Sequence, residues 1–147
     1  MRMAGLLGKG RGAMDWIRER LAVGSFGEAQ APPAEVDALL CVAAERDADP
    51  GPRLYHKVPV VDMQPIPPEQ LAEAVAWIRN HIADHRILVF CNEGVGRSPS
   101  VAVAYLCLGE GLGFGAAVEA VARRRPRIST LPGLIQGVAD AGRLLEG

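Results

Sequence analysis

Short apolar runs alternate along this chain with longer segments whose apolar residues recur at helical spacing. Ile87-Leu88-Val89-Phe90 is an unbroken apolar run that stops at Cys91, before a loop containing Gly94 and Gly96. Such a run predicts a strand buried on both faces. From Arg97 to Leu108 the residues are almost all apolar or small, with no lysine or acid among them, which predicts a helix enclosed by protein on every side. Leu39-Leu40-Cys41-Val42, within Val36–Ala43, predicts another buried strand. Leu54–Val61 mixes β-branched and aromatic residues with His56 and Lys57, predicting a strand with one end near solvent, and Pro59 marks an edge or a strand end. Leu21-Ala22-Val23-Gly24 predicts a strand closed by a turn glycine, with a short helix over Met14–Arg20 before it. Helical spacing places Leu71, Val75, Ile78 and Ile82 on one stripe of a helix starting at Pro67 or Pro68 and running to about Ala83. Phe114, Ala117, Val118 and Val121 mark a further helix, and Leu134, Ile135, Val138 and Leu145 the last. Strands alternating with helices predict a single α/β domain, with a central, mostly parallel sheet of about four to five strands flanked by helices.

The chain has 147 residues, enough for one core without disulfide or metal staples. Residues 14–147 are read as that domain. Met1–Ala13, rich in glycine and with little to pack, is expected to be mobile. Lysine plus arginine number 16 against 17 for aspartate plus glutamate, a balance that disfavours nucleic acid or an anionic membrane as the main partner. Cys41, Cys91 and Cys107 form neither a disulfide framework nor a metal-ligand spacing, so no metal or other cofactor is expected and a reducing cytoplasm suits the chain. No apolar run approaches the ~18–20 residues of a membrane span, so stable membrane insertion is not expected. Gly109-Glu110-Gly111-Leu112-Gly113-Phe114-Gly115 has the glycine content of a dinucleotide loop. It follows a helix rather than a strand, and reads as a linker.

The chemistry concentrates after the apolar run. A strand, a glycine-bearing loop and a helix N-terminus together offer backbone N–H groups and the positive end of a helix dipole, which suit an anion. Cys91 sits at the mouth of that nest, where helix N-termini and nearby cations favour the nucleophilic thiolate over the thiol. Arg97 carries a planar fork able to hold two oxygens of a phosphate, which a lysine could not do in the same geometry. An arginine opening a nearly all-apolar helix also calls for an anionic partner.

Cys91, five intervening residues, Arg97 and Ser98 resemble the signature of the cysteine-dependent protein tyrosine phosphatases, and Gly94 falls where that family also has glycine. Gly-Arg-Ser-Pro-Ser-Val-Ala-Val-Ala-Tyr-Leu resembles the compact dual-specificity branch, with weaker similarity over roughly Leu21–Leu145. The resemblance implies a phosphomonoester hydrolase working through a phosphocysteine. Cys91 is then the nucleophile, and the loop Asn92, Glu93, Gly94, Val95, Gly96 together with Arg97 binds the phosphoryl group. Ser98 hydrogen-bonds the sulfur. The resemblance also implies a general acid on a loop about thirty residues before Cys91, which matches Asp62. Substrates are expected to be phosphorylated proteins or other phosphomonoesters.

Some positions depart from the family's pattern. Phe90 stands where most relatives have histidine, Glu93 puts an acid inside an anion-binding loop, and Leu131 lies roughly where many members carry asparagine. The cluster Arg123-Arg124-Arg125-Pro126-Arg127 reads equally as a contact for a second phosphate or as a solvated helix end. Other readings stay open here: a phosphoinositide or small-molecule phosphatase, a rhodanese-like sulfurtransferase or arsenate reductase, or a phospho-binding module with weakened catalysis.

Overall fold

The computed structural model describes residues 14–147, so Met1–Ala13 lies outside the described residues. Its elements in chain order are β1 (Asp15–Arg18), β2 (Leu21–Ser25), α1 (Phe26–Ala29), β3 (Ala38–Cys41), β4 (Leu54–Lys57), α2 (Pro68–His81), β5 (Ile87–Cys91), α3 (Arg97–Glu110), α4 (Phe114–Arg124) and α5 (Leu134–Glu146). The strands form a five-stranded sheet in the order β1-β2-β5-β3-β4. All pairings are parallel except β1 with β2, which is antiparallel.

The helix expected over Met14–Arg20 is instead the edge strand β1. Asp15 and Ile17 are buried while Trp16 and Arg18 are half-buried. That two-residue alternation outweighs the mere absence of helix breakers. At the other edge lies β4, where Pro59 follows closely without breaking a ladder. The Ile87–Cys91 run is buried at every position, with β2 and β3 on either side of β5 and α3 packed on it.

Helix α3 packs on β2 and β5 and is surrounded by α2, α4 and α5. Every residue from Arg97 to Leu106 is consequently buried. Helix α2 begins at Pro68 as the prolines predict and ends at His81, with Ile82 as its C-cap. Ile135 on α5 is exposed rather than packed; Leu134, Val138 and Ala141 supply that helix's buried face.

Because β2, β5, β3 and β4 are parallel neighbours, their C-terminal ends open on one edge of the sheet. In an open α/β sheet this is the edge at which ligands bind. The segments that follow these strands carry Phe26 and Glu28, Cys91 to Arg97, Glu45 and Arg46, and Asp62. These residues build the site.

Candidate active site

The loop Asn92–Gly96 is held inside out by residues distant in sequence. The Asn92 carbonyl accepts from Phe26 N at 3.1 Å and the Val95 carbonyl from Ser129 N at 2.8 Å. The Gly94 carbonyl accepts from Arg125 Nε at 2.8 Å. In a planar trans peptide the C=O of one residue and the N–H of the next point in opposite directions. Carbonyls tied outward at Asn92, Gly94 and Val95 therefore turn the N–H groups of Glu93, Val95 and Gly96 toward the loop's centre. At that centre sits Cys91 Sγ, which accepts from Gly94 N at 3.3 Å.

Gly94 has φ +74°, and a Cβ there would lie 2.9 Å from the Gly24 backbone and against the Arg125 guanidinium. Only glycine fits both the backbone angle and the space. Helix α3 starts behind the loop with Gly96 as N-cap and no side chain capping its first turn. Its first N–H groups and dipole remain directed at the same centre.

Arg97 is 1% exposed, and both of its terminal nitrogens are engaged. Nη1 donates to Glu45 Oε1 at 2.7 Å and to the Val60 carbonyl at 2.9 Å, while Nη2 donates to Glu45 Oε2 at 2.6 Å. Nε is buried and has no hydrogen-bond acceptor among the described residues. It lies 3.6 Å from Asp62 Oδ1. The Arg97 fork holds the Glu45 carboxyl well below the usual carboxylate range, at about 2. Glu45 belongs to a segment that its charge and prolines mark only as a surface loop, and nothing in its spacing announces an arginine partner.

Ser98 Oγ lies 3.3 Å from Cys91 Sγ and 3.1 Å from the Gly24 carbonyl. A hydroxyl has one proton to give. With a thiol, the sulfur donates to Oγ and Oγ to Gly24; with a thiolate, the hydroxyl can turn its proton to the sulfur. Asp62 occupies the turn after β4, where its Oδ1 accepts from Met63 N at 2.9 Å.

Cys91, Asp62, Glu93, Val95 and Gly96 line one cavity of about 410 Å³, with Met63 and Ser129–Pro132 completing its wall. Of the anticipated loop residues, Asn92 is the one whose side chain turns away, accepting from Arg46 Nε at 2.9 Å. Arg46 in turn stacks over the Phe26 ring at 4.3 Å. Leu131 lines the cavity, while Ser100 Oγ accepts from its amide at 2.9 Å. Phe90 is wholly buried in the core and brings no polar group to the loop.

The basic cluster divides. Arg125 points inward to Gly94 and ion-pairs with Asp15 at 2.8 Å and Glu28 at 3.4 Å, while Arg123, Arg124 and Arg127 are exposed. Cys41 pairs in register with Phe90, so its side chain leaves the opposite face of the sheet from Cys91. Its thiol donates to the Arg46 carbonyl at 3.3 Å, and burial pushes its pKa up. His56 stacks with Trp77 far from this chemistry, pairing with Glu73 at 2.9 Å.

Among curated relatives, dual specificity protein phosphatase 1B of Arabidopsis thaliana is 36% identical over 61 residues, which is 42% of this chain and 36% of that protein. The match thus spans about a third of the plant protein's length. Solved structures share the fold. Human DUSP28 superposes with a TM-score of 0.77 at 24% identity, covering 90% of this chain and 97% of that one. A mouse putative dual specificity phosphatase complexed with zinc tungstate reaches 0.80 at 21% identity, covering 90% and 88%. The family model described as the dual specificity phosphatase catalytic domain matches residues 27–143, most of the chain, and the protein belongs to that family.

Proposed function

We propose that this protein is a phosphomonoester hydrolase of the protein tyrosine and dual-specificity kind, with residues 14–147 as its catalytic unit and phosphorylated proteins as substrates. The observation that carries the reading is Cys91 Sγ accepting from Gly94 N within a loop whose carbonyls are tied outward, bordered by the buried Arg97 Nε, which has no acceptor among the described residues. Inward N–H groups and a spare guanidinium N–H match the equatorial oxygens of a phosphoryl group.

In the first step the Cys91 thiolate attacks phosphorus in line, the S–P bond forms and the P–O ester bond breaks. Asp62, whose carboxyl shares the cavity, gives its proton to the departing oxygen. In the second step water attacks the phosphocysteine while Asp62 takes its proton, and the S–P bond breaks. The Ser98 hydroxyl, within 3.3 Å of the sulfur, stabilises the thiolate that leaves. These steps need no group beyond the chain's own residues and water. No helix among the described residues is long and apolar enough to cross a membrane. The three cysteines are all unpaired, which supports a cytoplasmic setting.

The test is hydrolysis of para-nitrophenyl phosphate. Turnover that vanadate inhibits and Cys91→Ser abolishes is the expected result. Equal turnover in Cys91→Ser refutes the mechanism, and tight vanadate binding with no turnover makes the protein a phospho-binding module instead.

A further inference from the structure

Sorted by chemistry, the cavity wall is one-sided. Met63, Val95, Leu131 and Pro132 are apolar, Asp62 and Glu93 are carboxylates, and among the described residues no lysine, arginine or histidine lines it. Behind the loop lie the buried Arg97, its Nε 3.6 Å from Asp62, and the positive end of α3. No member of the basic run Arg123–Arg127 lines the cavity, and two of its members are engaged elsewhere. Arg125 is turned inward onto Gly94, Asp15 and Glu28, and Arg123 pairs along its own helix with Glu119 at 3.4 Å. One of the wall's apolar residues stands well out of the surface. Met63 is 84% exposed and has φ +64°, a left-handed conformation that residues with side chains rarely adopt.

We propose that this rim selects singly phosphorylated peptides whose residues flanking the phosphate are uncharged and apolar, and that Glu93 is the side chain that rejects acidic or doubly phosphorylated sequences. The inference rests on the phosphatase reading of the site. A substrate's own phosphate is neutralised at the floor. A second anion a few ångströms above it meets the Glu93 carboxylate with no cation on the wall among the described residues, inside the ~8 Å over which such charges act at physiological salt.

The experiment compares three phosphotyrosine peptides on the whole protein: neutral flanks, acidic flanks, and a second phosphate beside the first. Phosphate release gives kcat/KM for each, and the ratio between peptides on one preparation is independent of how much of it is folded. The wild type should favour the neutral peptide over the other two by about five- to tenfold. The gap should narrow as salt rises from about 50 to about 500 mM. Glu93→Gln should shrink the ratio about threefold, and Glu93→Lys should invert it. A salt-dependent ratio that follows the charge at position 93 is not what a merely structural residue would give. A wild-type preference for the acidic or doubly phosphorylated peptide overturns the inference. So does faster hydrolysis of a phosphoinositide bisphosphate, or one ratio shared by all three proteins. Absence of any Cys91-dependent release overturns the phosphatase reading itself, and the inference with it.

Discussion

Replacing Glu45 by glutamine isolates the contact that aims Arg97. The substitution keeps the side chain's shape and removes its charge. It leaves a guanidinium that is 1% exposed with no charged partner at position 45, only the amide oxygen of the new side chain and the Val60 carbonyl, at 2.9 Å from Nη1, as close acceptors. Breaking a fully buried ion pair costs about 3–5 kcal/mol, and an exposed pair is worth about 0–1 kcal/mol. Glu45 is 49% exposed while its partner is not, so the pair lies between these limits. The expected loss is about 1–2 kcal/mol, or roughly 3–6 °C in Tm for a domain of this size. The effect on activity is larger. With Glu45 neutral, the nearest carboxylate is Asp62, 3.6 Å from Nε, and the fork is drawn toward the group proposed to carry the catalytic proton. A misplacement of about 1 Å at a phosphoryl-binding group lowers kcat/KM by up to about a hundredfold. Vanadate affinity should fall alongside it.

The same pair fixes a pH signature. The Glu45 carboxyl is held at about 2 by Arg97, against 4.5 for an unperturbed glutamate. A depressed carboxylate stabilises the fold fully above the unfolded value, and that stabilisation drains away as pH falls toward the folded value. Urea midpoints of wild type and Glu45→Gln should therefore differ by a constant amount from pH 8 to 5 and converge between about 4.5 and 2. If the variant keeps vanadate affinity and kcat/KM within twofold of wild type, Glu45 does not hold the fork. A midpoint difference that grows on acidification would refute the electrostatic account.

Other substitutions test separate parts of the arrangement. Asp62→Asn should lower turnover of alkyl phosphates by about 10²–10⁴-fold with much smaller loss of vanadate binding, and comparable turnover would remove Asp62 from the chemistry. Gly94→Ala forces a side chain into a φ of +74° and against Gly24; a loss of about 2 kcal/mol or more is expected in urea titration, with loss of vanadate binding. Arg125→Met removes the cation that faces the Asp15 and Glu28 carboxylates, 12% and 6% exposed, and should destabilise by about 3 kcal/mol. Arg125→Lys should recover stability better than kcat/KM, because a point charge does not reproduce the bond to the Gly94 carbonyl.

Much of this was legible in the chain. The Ile87–Phe90 run and the apolar stretch after Arg97 fall on the central strand and the enclosed helix because burial on all sides leaves an unmistakable composition. The prolines before Glu69 place the start of α2 at Pro67 or Pro68, and it lies at Pro68. Met14–Arg20 misled because a four-residue strand offers too few positions for its period to stand out. Asp15 also looks like a surface acid until the chain folds and Arg125 covers it. Glu45, Arg46 and Arg125 escaped for a common reason. Each acts through a partner some thirty to a hundred positions away, and pattern along the chain carries no trace of such pairings. Arginine clusters invite a reading in terms of ligands, although one member of this cluster is spent on the protein's own backbone.

That last point bears on how an anion site is made at all. A loop with free N–H groups is easily written into a sequence as glycines between a strand and a helix, but glycines alone also let the amides turn elsewhere. Here direction comes from the carbonyls. Ser129, Phe26 and Arg125 each hold one outward, and the planar peptide does the rest. Two of those three donors are backbone amides whose positions depend on α1 and on the segment between α4 and α5. The nest is therefore only as well formed as the packing of those segments. Damage far from Cys91 should weaken vanadate binding and stability together, whereas loss of Asp62 should separate them.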